Sequence, residues 1–91
     1  MSGPEHPVVD VGRVCTVTIE IEKHGEQEVR LTEHHTLGDA IWRAMRSAGL
    51  PEGGWWSVYT FFDGVGHELD DLSIEVGQIA PGERFAVRRI P

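Results

Sequence analysis

From Cys15 to Glu22 the sequence alternates without a break. Cys15, Val17, Ile19 and Ile21 are apolar, and Thr16, Thr18, Glu20 and Glu22 between them are polar. A period of two carried by β-branched residues is the pattern of a strand with one buried and one wet face. Lys23-His24-Gly25-Glu26 follows, with a glycine able to take positive φ, and Glu28 to Thr32 resumes the alternation through Val29 and Leu31. These segments predict a β-hairpin that needs another layer against its apolar face.

That layer comes next. Thr36-Leu37-Gly38-Asp39 reads as an N-cap with an acid at the third helical position, close to a capping box. Leu37, Ala40, Ile41, Ala44, Met45 and Ala48 then recur at i, i+3, i+4, i+7, i+8 and i+11, which is one apolar stripe. Gly49 stops the helix and Pro51 prevents its resumption, so the spacing predicts a helix over Leu37 to Ala48.

The remainder is richer in strands. Trp56 to Phe62 is aromatic and β-rich and is expected to be a third strand. Asp63-Gly64-Val65-Gly66 turns the chain before a short fourth strand at His67-Glu68-Leu69. Asp70 to Ile79 is irregular, with Leu72, Val76 and Ile79 as its buried anchors, and Arg84 to Ile90 is the last strand. The order is β-β-α-β-β-β. One helix covers only one face of a sheet and leaves the other open, so the class is α+β. With 91 residues there is room for one domain. We expect a flexible N-terminal arm over residues 1–12 and a folded domain over 13–91.

Composition excludes several roles. The net charge of −7 argues against nucleic acid and anionic membrane as partners, since both require a basic face. A single cysteine, Cys15, leaves no intramolecular disulfide and no Cys-rich zinc site, and fits a reducing, cytoplasmic location. The five histidines, His6, His24, His34, His35 and His67, form no HExxH pattern and read as solvated surface side chains. Glu68, Asp70 and Asp71 lie near a turn, where paired acids are usually a solvated face or a cap. Cys15 falls on the apolar side of its strand, as an inert core thiol does. We expect no catalytic residue, no metal and no cofactor.

Four pieces, in order, resemble ubiquitin and other β-grasp proteins. These are Thr36-Leu37-Gly38-Asp39-Ala40-Ile41 at the helix start, Gly49-Leu50-Pro51-Glu52 after it, Phe61-Phe62-Asp63-Gly64 followed by His67-Glu68-Leu69-Asp70-Asp71, and Leu72 to Ile79. The match spans roughly Val14 to Ile90, and the tryptophan content is similar to that of the standalone bacterial ubiquitin-like proteins. The resemblance implies a mixed β-grasp sheet with one helix on one face, and a non-enzymatic domain that binds a protein partner. Its alternative is a modifier or sulfur carrier acting through its C-terminus with an activating enzyme. Such carriers end in Gly-Gly, whereas this sequence ends in Arg88-Arg89-Ile90-Pro91, and only Lys23 is a lysine.

The resemblance also places a partner-gripping patch on the open sheet face. By position Phe61 would be its centre, with Tyr59 and Arg88 around it, Ala86 on the last strand, and His24 and Gly25 in the adjoining turn. Aromatic residues beside an arginine suit protein recognition. Trp55 and Trp56 are a second candidate, because successive residues at a strand start point to opposite faces and leave one tryptophan exposed. A monomer or weak homodimer is expected, since sheet edges can pair. Although the chain is acidic, Arg84, Arg88 and Arg89 gather near its end beside the single acid Glu83, which marks that strand for an acidic partner.

Overall fold

The computed structural model describes residues 12–50 and 55–91, the side chains of Trp55 and Trp56 excepted. The expected arm over residues 1–12 therefore lies, save for Gly12, outside the described residues, as does the loop at 51–54. The hairpin strands β1 (Val14–Ile21) and β2 (Gly25–Thr32) pair antiparallel from Val14–Thr32 to Ile21–Gly25. Positive φ occurs in the turn at Lys23 as well as in Gly25.

Helix α1 (Leu37–Ser47) begins at Thr36. The Thr36 hydroxyl accepts the Asp39 N–H at 3.1 Å, and the Asp39 carboxylate accepts the Thr36 N–H at 3.0 Å. That reciprocal pair is the capping box anticipated from the sequence. At the other end Gly49 takes φ 81°, its N–H donates to Arg46 O, and the Leu50 N–H donates to Met45 O. These two bonds form a Schellman motif, which requires a left-handed residue where glycine stands. Leu37, Ala40, Ile41, Ala44 and Met45 are buried, so the apolar stripe lies against the sheet.

After α1, residues Trp55–Val58 form a short helix, α2, and strand β3 (Tyr59–Phe62) starts only afterwards. The expected strand from Trp56 is thus shortened at its beginning. The cause lies at the far end of the chain. Strand β5 (Arg84–Arg89) pairs antiparallel with β3 from Tyr59–Arg89 to Phe62–Ala86, and the Ile90 N–H reaches Val58 O at 2.7 Å.

Strand β4 (Glu68–Leu69) pairs with β3, while β5 runs parallel to β1 through Thr18–Arg84 to Ile21–Val87. The result is a mixed five-stranded sheet in the order β2-β1-β5-β3-β4. Between β4 and β5, the segment read as irregular caps the helix. Leu72 O and Ile74 O accept the Gly38 and Leu37 N–H groups at 2.9 and 2.8 Å. These donors have no partner within the helix. Val76, in the 3₁₀ turn Val76–Gln78, is buried, and Leu72 and Ile79 pack beside the core as anticipated.

The core is continuous between sheet and helix. Val17, Ile19 and Ile21 of β1, Val29 and Leu31 of β2, Phe61 of β3, and Phe85 and Val87 of β5 meet the α1 stripe. Cys15 is half-buried and packs against the same cluster.

Candidate functional site

Because side chains alternate across a strand, burying Ile19, Phe61, Phe85 and Val87 turns their neighbours to the opposite, helix-free face. There the cross-strand pairs align in rows. Glu26, Glu20, Ala86 and Phe62 make one row from β2 to β3, with Glu68 on β4 beyond it. Thr18 lies beside Arg84 and Thr60 beside Arg88. A hollow of about 360 Å³ opens over these positions, walled by Thr18, Glu20, Phe62, Arg84, Ala86 and Arg88.

This arrangement corrects the expected patch. Phe61, placed by position at the exposed centre, is only 7% exposed and sits in the core. Tyr59 has the same parity and packs against that core. The half-buried aromatic on the open face is Phe62. Arg88 and Ala86 do lie on that face, so Tyr59 and Phe61 are separated from Arg88 by the thickness of the sheet. The sequence contained the signal. Thr60 shares parity with Phe62 and marks the wet side of β3, whereas Phe61 pairs with Val87, which is fully buried.

The two tryptophans do not open a strand. Trp55 and Trp56 stand in a four-residue helix, where successive residues are about 100° apart, so strand alternation does not apply to them. Their side chains fall outside the described residues.

Nor does the basic last strand stand alone. Arg84 forms an ion pair with Glu26, and Arg88 lies 3.9 Å from the Glu20 carboxylate. Glu22 accepts the Arg89 backbone N–H at 2.9 Å. Acids of the hairpin thus face the C-terminal arginines strand by strand. The open face is a neutralised, mixed-charge surface around Phe62 and Ala86. The chain end is held as well, since Arg89 and Ile90 both donate their N–H groups to the domain.

The histidines go to separate places. His34 meets Glu75 at 3.3 Å, His35 meets the Thr32 hydroxyl at 2.8 Å, and His67 lies 3.7 Å from Asp63. Among the described residues no three His, Cys, Asp or Glu side chains converge as metal ligands. No helix among them is long and apolar enough to cross a membrane.

Three carboxylates are held below the usual range. Backbone donation from Arg13 lowers Glu33, aided by the nearby guanidinium. Donation from the backbone of His67, and then of Val65, lowers Asp63. The Ser73 hydroxyl, followed by its N–H, lowers Asp71. Glu33 and Asp71 lie away from the hollow, whereas Asp63 stands at its margin beside Phe62.

No protein-family model matches the chain, and no curated protein matches it in sequence. Among solved structures, it is similar to the solution structure of the C-terminal ubiquitin-like domain of mouse tubulin-specific chaperone e. The two share 15% identity over 88% of this chain and 90% of that one, with a TM-score of 0.54. With its mixed sheet and single covering helix, the chain has an α+β, ubiquitin-like β-grasp fold.

Proposed function

We propose that this chain is a non-enzymatic protein-interaction domain that docks a protein partner on its helix-free sheet face. The observation that carries the reading is Phe62. The core is complete without it, yet it stands half-buried on the open face beside Ala86, with Arg84, Arg88, Glu20 and Glu26 around it. An aromatic anchor ringed by polar and charged groups suits a protein interface, where a few central residues carry most of the energy and a polar rim excludes water. The paired charges at the rim favour a partner bearing its own mixed charges over a uniformly acidic one.

Cross-linking in cells followed by affinity capture tests this. Phe62→Ala is compared with wild type and with Val65→Asp and Ile74→Asp, two changes at exposed apolar positions elsewhere. Loss of the same captured protein in the folded Phe62→Ala variant alone is the expected outcome. Retention in Phe62→Ala would remove the open face from consideration. A covalent adduct on incubation with an activating enzyme and ATP would instead move the activity to the C-terminus.

A further inference from the structure

The hairpin's outer strand offers a second surface, independent of the hollow. β2 is an end strand of the sheet, with β1 as its neighbour among the described residues. The Glu33 N–H donates to Arg13 O at 2.8 Å, which fixes the phase of the ladder just beyond the Val14–Thr32 pair. Odd-numbered residues of β2 therefore exchange hydrogen bonds with β1. The even-numbered Glu26, Glu28, Arg30 and Thr32 turn their N–H and C=O groups to the free side. Arg43 Nη1 lies 3.5 Å from Arg30 O on that side, a long and exposed contact that a strand N–H would replace.

An edge with charged side chains normally repels a second strand. Here the order of charges decides which strand it accepts. Two copies of β2 can pair antiparallel about a two-fold axis only in registers that set even-numbered residues against even-numbered ones. With the axis at Gln27, Glu26 faces Glu28. An axis at Glu28 sets Glu28 against itself, and one at Arg30 sets Arg30 against itself. Axes at Leu31 or Thr32 avoid like charges but engage only the last residues of the strand, whereas the axis at Val29 pairs the whole of Glu26 to Thr32 with no like-charge pair. The Val29 axis places Glu28 opposite Arg30 of the second copy, twice, and Glu26 opposite Thr32 of the second copy. On the helix side Val29 then meets its own copy, and Leu31 meets Gln27 of the second copy.

We infer that β2 is a self-pairing edge, through which two copies of this chain join their sheets in the register centred on Val29. The occupant is a second copy because the edge is complementary to itself, with an isologous contact that closes after two chains. The net charge of −7 opposes approach at low salt, so association strengthens when long-range repulsion is screened at about 0.15 M salt.

The charge order gives a test with internal control. Sedimentation equilibrium at about 0.15 M salt is run on the full chain, on Glu28→Arg, on Arg30→Glu, and on the double variant that exchanges the two charges. Both substituted side chains, Glu28 and Arg30, are exposed, and circular dichroism checks that each variant is folded. Each single reversal creates two like-charge pairs across the axis and is expected to weaken dimerisation about tenfold or more. The double variant restores both opposite-charge pairs and returns to near the wild-type constant. A wild-type chain that stays monomeric to about 1 mM would overturn the inference. So would single reversals without effect, or a double variant no better than either single.

Discussion

The two faces of the sheet are made by the same strands and follow different rules. On the helix side the described positions from Val17 to Val87 that meet α1 are aliphatic or aromatic and nearly inaccessible, and among the described residues no buried one is polar or charged. On the other side the same strands carry Thr18, Glu20, Glu26, Arg84 and Arg88, with Arg88 near Glu20 on the neighbouring strand and Arg84 paired with Glu26 across β1. The covered face is determined by burial, where each side chain is worth about 1.5–3 kcal/mol and substitutes are few. The open face contributes little to folding, because exposed ion pairs rarely exceed about 1 kcal/mol. A large aromatic such as Phe62 on the second face therefore calls for a reason other than the fold.

Adjacent residues on β1 separate the two rules most sharply. Ile19 is inaccessible, and Ile19→Ala should cost about 2–5 kcal/mol in urea unfolding through the cavity it leaves. Thr18→Ala, one residue away on the open face, should cost about 1 kcal/mol or less. Equal losses would mean that the open face is packed as a second core.

The margin of the covered face gives a smaller effect. A Cβ at Gly77 would stand 2.7 Å from the Glu33 Cβ and 3.1 Å from the Glu33 carbonyl oxygen, which accepts the Gly77 N–H. Gly77→Ala should therefore cost about 1–3 kcal/mol by forcing the 3₁₀ turn away from the end of β2. An unchanged unfolding midpoint would show that this junction yields freely.

The smallest effect is that of acid. Glu33, Asp63 and Asp71 have folded values below their unfolded ones, so the folded chain binds fewer protons. Their contribution is present above the unfolded carboxylate range near pH 4 and is lost as pH falls through the folded values. The urea midpoint should decline below about pH 4.5, and Glu33→Gln should reduce that decline. A midpoint flat to pH 3 would contradict the bonds described at these carboxylates.

Much of the fold was legible because it is written in short-range periodicity. The alternation from Cys15 and the stripe from Leu37 each fix an element and its buried side, and the Thr36 and Gly49 caps fix the helix ends. What was misread depends on partners far along the chain. Strand β3 begins at Tyr59, where its pairing with β5 begins opposite Arg89, and the carbonyls of Leu72 and Ile74 serve the N–H groups of Gly38 and Leu37. The candidate site suffered from the same cause. Local sequence says that one of Phe61 and Phe62 faces inward, but which one follows from pairing with Val87 and Ala86 on β5. Positional likeness to ubiquitin chose Phe61, and the parity shared with Thr60 points to Phe62.

That parity makes Phe62 the most direct point of attack. Phe62→Ala should leave the cooperative unfolding transition within about 1 kcal/mol of wild type while abolishing capture of the protein cross-linked to the wild-type chain. A folded Phe62→Ala chain that captures the same protein as well as wild type would contradict the assignment of the open face as the interaction surface.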